Sequence, residues 1–356
     1  NALYDKSEYT RAIADYDKVL KIDPGDKRAL NNRGNAYANQ KMLDRAIADF
    51  SRALAQDPSY SRAYSDRGVA YGAKGEIDRA LADFEQAIKY DSADSLAFFN
   101  RGLAFRDKND LDRAAQSFEQ AVKLNPDYTG AYFNLGIVYT QKQDYPRATA
   151  SFDQAIKLKP DFAQAVNDRA LAYAAKGDAD RAIVDFTAAI RLEPNNATAF
   201  YNRGVAYRAK RDLGRAVQDF SDAIKLDSKL AQAYFQRAGV LQQQGEFDRA
   251  MADFEQTIRA GISGQTAYYQ RGLAYRAKGD LDHAITEFSQ AIKLDPKDAN
   301  ILLSRALAYR DKGDADHAIL DFDQALKLDP KLDDAFNGRG VAYGMRGDND
   351  RAIADF

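Results

Sequence analysis

The chain has 356 residues, 29% of them charged, and its net charge of -2 shows that the two signs are nearly balanced. This balance argues against a nucleic-acid-binding protein, which normally carries a strong basic excess. The sequence contains no cysteine, which excludes disulfides and thiolate chemistry. No apolar run reaches the length of about 18 residues that would predict a membrane-spanning helix.

Aromatic residues recur every 34 positions along the whole chain. They are Tyr16, Phe50, Phe84, Phe118, Phe152, Phe186, Phe220, Phe254, Phe288, Phe322 and Phe356. An uninterrupted period of this kind predicts an array of one structural unit. With these period-34 aromatics at place 24 of each unit, nine complete repeats fill residues 27–332, and partial repeats occupy 1–26 and 333–356. We therefore predict a single repeat array over residues 1–356.

Each repeat predicts two helices. The first begins at place 1, carries apolar residues at places 4, 8 and 11, and ends at a glycine such as Gly75 or Gly279. An aspartate at place 18, such as Asp44 or Asp112, is expected to cap the start of the second helix. In most repeats the second helix is expected to stop before a proline, as at Pro58.

Other places of the repeat are nearly constant. Place 20 is always alanine, place 8 is glycine or alanine, and place 11 is usually tyrosine. The combined pattern of a large residue, a small residue, Tyr, Ala, Phe and Pro at a period of 34 resembles the tetratricopeptide repeat. The resemblance covers the whole chain. It implies an all-α, right-handed superhelical solenoid of antiparallel helix pairs, with first helices on the concave side.

Place 7 departs from the family pattern, because arginine stands where the family usually has leucine. Leu135 is the one exception among ten repeats. The residue before each period-34 aromatic is acidic except at Ser117 and Ser151, which belong to the repeat before Leu135 and to the repeat that contains it. We predict that each arginine pairs with an acid of its own or the preceding second helix, because a partly buried charge requires a partner. A solvated arginine on the surface is the alternative.

The family resemblance implies a groove lined by places 2, 5, 6, 9, 12 and 13 of the first helices. We call this set of places the first-helix face. Its candidate peptide-binding residues are aromatics, short amides and arginines: Phe99, Asn100, Arg106, Phe133, Asn134, Tyr201, Asn202, Arg208, Phe235, Tyr269, Arg276 and Arg310. Amides can hydrogen-bond a peptide backbone, aromatics can anchor side chains, and arginine can bind carboxylates. Alternatively, the aromatics pack between repeats and the amides are merely solvated.

No catalytic constellation stands out, and no cofactor or metal is expected. His283 and His317 share place 19 of adjacent repeats, where other repeats have arginine. The side chains would have to converge from neighbouring helices about 10 Å apart to bind one metal ion. We therefore predict a structural or solvent-exposed role for both histidines.

The repeat that begins at Ala231 is irregular. It has Gly239 and Leu241 at places that other repeats mostly fill with a branched residue and tyrosine, and it ends without a proline. Two glycines, Gly261 and Gly264, predict a change of curvature or raised mobility near 259–266. At the chain ends, Asn1 and Phe356 are expected to lie within helices without polar caps, which suggests a fragment of a longer array or end-to-end association.

Taken together, these features predict a non-catalytic scaffold that binds a protein or peptide ligand in the groove. One alternative is the substrate-recognition arm of a larger enzyme. Another is a structural array that assembles end to end. Nucleic-acid binding and membrane insertion are not expected, and a soluble protein is expected, with the cytoplasm slightly favoured over export.

Overall fold

The computed structural model describes residues 2–261 and 264–356, and these residues form 21 α-helices and no strand. Helix contacts divide the chain into an N-terminal body, residues 1–178, and a C-terminal body, residues 179–356. Each body is a row of helices in which consecutive helices pack against one another. The all-α fold and the two-helix repeat are therefore confirmed.

The N-terminal body contains the helices α1 (Ala2–Ile22), α2 (Lys27–Asn39), α3 (Leu43–Gln56), α4 (Ser61–Ala73), α5 (Ile77–Tyr90), α6 (Ser95–Asp107), α7 (Leu111–Leu124), α8 (Thr129–Gln141), α9 (Tyr145–Leu158) and α10 (Ala163–Ala175). The first helix of every complete repeat in this body begins at place 1, as predicted. Helix α1 is continuous over 21 residues. The first partial repeat therefore has no turn between residues 2 and 22, whereas Asn1 lies outside the described residues.

The C-terminal body contains α11 (Ala179–Leu192), α12 (Ala197–Ala209), α13 (Leu213–Leu226), α14 (Ala231–Gln243), α15 (Phe247–Arg259), α16 (Gly264–Ala277), α17 (Leu281–Leu294), α18 (Ala299–Lys312), α19 (Ala315–Leu328), α20 (Asp333–Met345) and α21 (Asn349–Asp355). Helix α15 ends at Arg259, after 13 residues instead of the usual 14 for a second helix. The prediction of altered mobility near 259–266 falls partly on residues 262 and 263, which lie outside the described residues.

The period-34 aromatics form the core of both bodies. From Phe50 to Phe322 each phenylalanine is no more than 3% exposed, whereas Tyr16 is half-buried and Phe356 is 72% exposed. Glycine at place 8 lets the facing helix approach. A Cβ added to Gly204 would lie 2.8 Å from the ring of Phe220, closer than non-bonded carbon atoms approach. The small residue at place 8 and the phenylalanine at place 24 are therefore in direct contact, and each limits the size of the other.

The ends of the helices agree with the predicted stop signals. Second helices such as α3 and α7 end two residues before a proline, as expected. The turn after each first helix places one residue in the left-handed region, at φ +78° for Gly75 and φ +83° for Gly279. Four repeats fill this position with another residue, namely Lys41, Asn109, Gln143 and Arg211. Glycine is therefore favoured there but not essential.

The predicted capping residue of the second helix was wrong by two positions. Asp44 and Asp112 lie inside the first helical turn, not before it. The side chain that caps α7 is Asp110, which accepts a hydrogen bond from the backbone N–H of Arg113. Asp144, Asp212, Asp280, Asp314 and Asp348 cap their helices in the same way. Asp44 instead binds Lys74 of the next repeat, 2.7 Å away, and still complements the helix dipole.

Candidate functional site

The place-7 arginines are structural, as predicted. Arg203 donates from Nε and Nη2 to the two carboxylate oxygens of Asp219, each at 2.8 Å. The same bidentate pair, with distances between 2.6 and 2.9 Å, links Arg33 with Asp49, Arg67 with Asp83, Arg237 with Asp253, Arg271 with Glu287, Arg305 with Asp321 and Arg339 with Asp355. The charges of these arginines are neutralised within the helix stack, which agrees with a structural role and not with ligand binding.

The preceding second helix also contributes, as the hypothesis allowed. Arg203 donates from Nη1 to Thr187, and Arg33 donates from Nη1 to Asp17. Leu135 lacks a charge, and its own place-23 residue is the uncharged Ser151. The preceding helix supplies Glu119, which accepts a hydrogen bond from the hydroxyl of Tyr139. Burial is the main cause that raises the pKa of Tyr139 to about 12, and the carboxylate of Glu119 adds to it.

Ser117 has a different explanation from Ser151. Its partner at place 7 is Arg101, which is present and donates from Nε to the Ser117 hydroxyl at 3.1 Å. No carboxylate of the described residues lies within salt-bridge distance of Arg101. Burial lowers the pKa of Arg101, and the charge of Glu85 opposes that shift. The prediction that each place-7 arginine pairs with an acid was therefore wrong for Arg101, whose place-23 residue is Ser117.

The two histidines replace arginine in a local structural contact. In several repeats the place-19 arginine binds the capping acid and lies over the place-11 ring, as Arg215 does with Asp212 and with Tyr207 at 4.4 Å. His283 makes the equivalent contacts through Nδ1 to Asp280 at 2.8 Å and by stacking on Tyr275 at 5.1 Å. His317 repeats both contacts with Asp314 and Tyr309. No group of three or more potential metal ligands occurs among the described residues.

The aromatic residues of the first-helix face are fixed by packing. Ring centroids at place 5 lie 5.7–6.0 Å from the period-34 phenylalanine of the same repeat, for Phe99, Phe133, Tyr201, Phe235 and Tyr269. Phe133 is only 9% exposed, and the other four are half-buried. Packing within the repeat is thus part of their role, and their role in binding remains a prediction.

Some of the polar candidates already have hydrogen-bond partners within the protein, and others have none among the described residues. Asn134 is buried and already occupied, because it donates to the carbonyl of Gly130 and accepts from Arg106 of the preceding repeat. Arg208 binds Gln236 in the same way. Asn100 and Asn202 are half-buried, and neither side chain has a hydrogen-bond partner among the described residues. Arg276 and Arg310 converge on Asp311, each at 2.8 Å or less.

This pairing changes what the candidate residues can do. Three of the place-12 arginines that the sequence suggested as free carboxylate binders use at least one donor on the following repeat, namely Arg106, Arg208 and Arg276. Arg310 instead binds Asp311 of its own repeat. A guanidinium has five N–H donors, so donors remain for a ligand. The amides of Asn100 and Asn202 are fully available. Sequence reasoning could not separate these cases, because the partners of Arg106 and Arg208 lie 28 residues away on another helix.

The C-terminal body contains one concavity on this face that sequence reasoning did not assign. It is lined by Phe235, Gly239, Gln242 and Gln243 of α14, together with Arg208, Phe254 and Gln270 from adjacent helices. The sequence indicated this concavity only through Gly239, which departs from the branched residue usual at place 9. The glutamines did not indicate it, because glutamine is common on exposed helices.

Comparisons with known proteins place the chain in a family. Models described as "Tetratricopeptide repeat" match residues 1–61, 65–129, 104–163, 135–201, 197–230 and 231–260, and one described as "TPR repeat" matches 272–313 and 306–347. The chain belongs to the tetratricopeptide repeat family, as the sequence pattern predicted. A search of curated proteins finds no match.

Solved structures of tetratricopeptide repeat proteins are similar to this chain. A tetratricopeptide repeat protein from Parabacteroides merdae ATCC 43184 is 19% identical with a TM-score of 0.51, over 70% of this chain and 98% of that one. YrrB, described as a TPR protein with an unusual peptide-binding site, is 24% identical with a TM-score of 0.48, over 52% of this chain and 95% of YrrB. The first likeness supports the fold alone.

Proposed function

We propose that this protein is a non-catalytic scaffold that binds an extended peptide segment of a partner protein on the first-helix face. The observation that carries the proposal is one place-6 amide in each body, Asn100 in the N-terminal body and Asn202 in the C-terminal body. Both amides are half-buried without a partner among the described residues, and unsatisfied amides at partly buried positions gain by binding a peptide backbone.

The neighbouring aromatic rings support the same function. Phe99 precedes Asn100 and Tyr201 precedes Asn202, and each ring is held against a buried phenylalanine. A half-exposed ring held in this way loses little conformational freedom on binding, which lowers the entropic cost of an anchor contact. Proteins of the family are in general non-catalytic scaffolds. No helix in the described part of the chain is both long and apolar enough to span a bilayer.

A peptide array tests the proposal. Fluorescently labelled wild-type chain is compared with an Asn100→Ala and Asn202→Ala double variant. Removing the backbone-binding amide of each body should weaken peptide capture by that body about fivefold, since one hydrogen bond contributes roughly 1 kcal/mol. The matched control is Gln116→Ala with Gln218→Ala, because both glutamines are exposed on second helices.

Replacing the aromatic residues of the first-helix face would give a less clear test than replacing the amides. Phe133 is buried against Phe152 and Phe162, so its replacement by alanine would cost about 3 kcal/mol or more of stability and confuse unfolding with lost binding. Equal capture by wild type and the amide variant would refute binding on this face, and so would the absence of any peptide captured by the wild type.

A further inference from the structure

The missing side chain at Gly239 leaves an open notch in the first-helix face of the C-terminal body. The flanking repeats fill the same place with Val205 and Leu273. Each of those side chains packs against the cluster around its own period-34 phenylalanine, Phe220 or Phe288. Apart from its chain neighbours and the backbone of its own helix, no heavy atom of the described residues lies within 4 Å of the position that a Cβ on Gly239 would occupy. The repeat therefore lacks one branched aliphatic side chain that its neighbours possess.

The space in front of Gly239 is a concavity of about 400 Å³ with an apolar floor. The half-buried ring of Phe235 forms that floor. Phe254 is only 1% exposed and supports Phe235 from beneath, with the two ring centroids 5.8 Å apart. A volume of this size is within the range of small-ligand clefts, which are about 300–1,000 Å³. An aliphatic side chain from a ligand would restore the packing that Val205 and Leu273 provide elsewhere.

The rim of the concavity is polar and carries positive charge. The amides of Gln242, Gln243 and Gln270 line it, and none has a hydrogen-bond partner among the described residues. Arg208 contributes a guanidinium that donates one bond to Gln236 and has further donors available. None of the described residues that line the concavity carries a carboxylate. The chemistry of the rim therefore complements a peptide backbone and a carboxylate.

We propose that the Gly239 notch is a specificity pocket for an extended peptide in which a branched aliphatic side chain lies next to a carboxylate. The aliphatic side chain packs on Phe235, which Phe254 supports from beneath, and the glutamine amides bind the backbone. Arg208 binds the carboxylate, which belongs either to an acidic side chain or to the peptide C-terminus. The inference rests on the proposed peptide-binding function and adds the class of peptide.

The notch can be filled without harming the helix. Gly239→Leu adds a side chain into open space and replaces a poor helix former, so the melting temperature should hold or rise. Gly214→Leu is the matched control. Gly214 also lies within a helix of the C-terminal body, α13, and no described atom outside its chain neighbours and its own helical backbone lies within 4 Å of its Cβ position. It lies on a second helix and is not part of the first-helix face.

Binding is measured by titrating blocked tetrapeptides into the full chain and following amide resonances by NMR. The peptides are Gly-Leu-Asp-Gly, Gly-Ala-Asp-Gly and Gly-Leu-Asn-Gly, with unblocked Gly-Gly-Leu as the C-terminal carboxylate. We expect the leucine and carboxylate peptides to bind, with affinity reduced at least tenfold by Gly239→Leu and unchanged by Gly214→Leu. The stronger of Gly-Leu-Asp-Gly and Gly-Gly-Leu identifies the source of the carboxylate. Arg208→Gln should remove the preference for aspartate over asparagine.

Any one of three results would refute the proposed specificity pocket. They are an affinity unchanged by Gly239→Leu, equal binding of the leucine and alanine peptides, and no binding of any peptide at millimolar concentration. These failures are distinct from failure of the wider function. If the peptide array still depends on Asn100 and Asn202 while the notch variants have no effect, the chain binds peptides elsewhere on the face.

Discussion

Arg203 of α12 and Asp219 of α13 form a bidentate ion pair with two N–O distances of 2.8 Å. The side chains are only 16% and 4% exposed, so the pair lies inside the stack and fixes the two helices of one repeat. Arg–carboxylate pairs of this geometry combine charge with directional hydrogen bonds. Its recurrence at the same place in other repeats makes it a standard joint of this chain.

The first prediction concerns breaking that joint. Asp219→Ser should lower the free energy of unfolding by about 3 kcal/mol, because it leaves a partly buried guanidinium without its acid. The double variant Arg203→Leu with Asp219→Ser should recover most of the loss, because it reproduces the uncharged pair Leu135 and Ser151 of another repeat. Hydrogen exchange of the α12 and α13 amides, read per helix, is the measurement. A double variant no more protected than Asp219→Ser would contradict the prediction.

The second prediction concerns the one joint that lacks its acid. Ser117→Asp should raise the free energy of unfolding by about 1–2 kcal/mol, since it gives the buried guanidinium of Arg101 a charged acceptor. Urea denaturation followed by circular dichroism measures the change. Ser151→Asp is the control, because Leu135 offers it no partner, and it should destabilise the chain. A loss of stability for both variants would contradict the proposed cause.

The third prediction concerns pH. Hydrogen bonds to Arg215 lower the pKa of Asp212 from the ordinary value of 3.8, so the ionised carboxylate favours the folded state. The stabilisation is fully present above pH 3.8 and is lost as pH falls through the lower, folded-state pKa. The melting temperature of wild type minus that of Asp212→Asn should therefore shrink as pH falls from 5 to 2. A difference that stays constant over that range would show that the carboxylate charge contributes nothing.

The fourth prediction compares two glycines of the first helices. Gly204→Val should destabilise the chain by about 2 kcal/mol, because its Cβ would press on the ring of Phe220 in a closely packed core. Gly72→Ala should stabilise it by up to about 1 kcal/mol, because the space there is open and alanine is the better helix former. Thermal melts of both variants give the comparison. Similar shifts of one sign would mean that helix propensity alone governs both sites.

Several elements could be read directly from the sequence. The first helices begin where the period places them, and proline ends second helices because it restricts the residue before it. The pairing of place-7 arginines with place-23 acids was visible because charge at one place varied with charge at the other. The histidines were assigned a structural role for a similar reason, since they occupy a place of arginine. These features depend on local backbone preferences or on a contact that every repeat makes again.

Capping was harder to predict, because two acidic places lie close together before each second helix. Asp110 and Asp112 are both reasonable caps by residue type. The positive φ of the preceding turn residue, such as Asn109, fixes where the helix begins and selects Asp110. The sequence therefore identified the region of the cap and left the residue to the backbone geometry.

By itself the sequence determined the helix pairs, their period and the residues that repeat in the core, because those contacts are made again every 34 residues. Only the tertiary structure decided the state of the candidate site. Asn134 is bound by Arg106 whereas Asn100 and Asn202 have no such partner among the described residues, and Gly239 opens a notch instead of merely weakening a helix. These outcomes depend on which side chains of neighbouring helices come into contact. Such contacts join two different repeats and do not follow from the pattern of any one repeat.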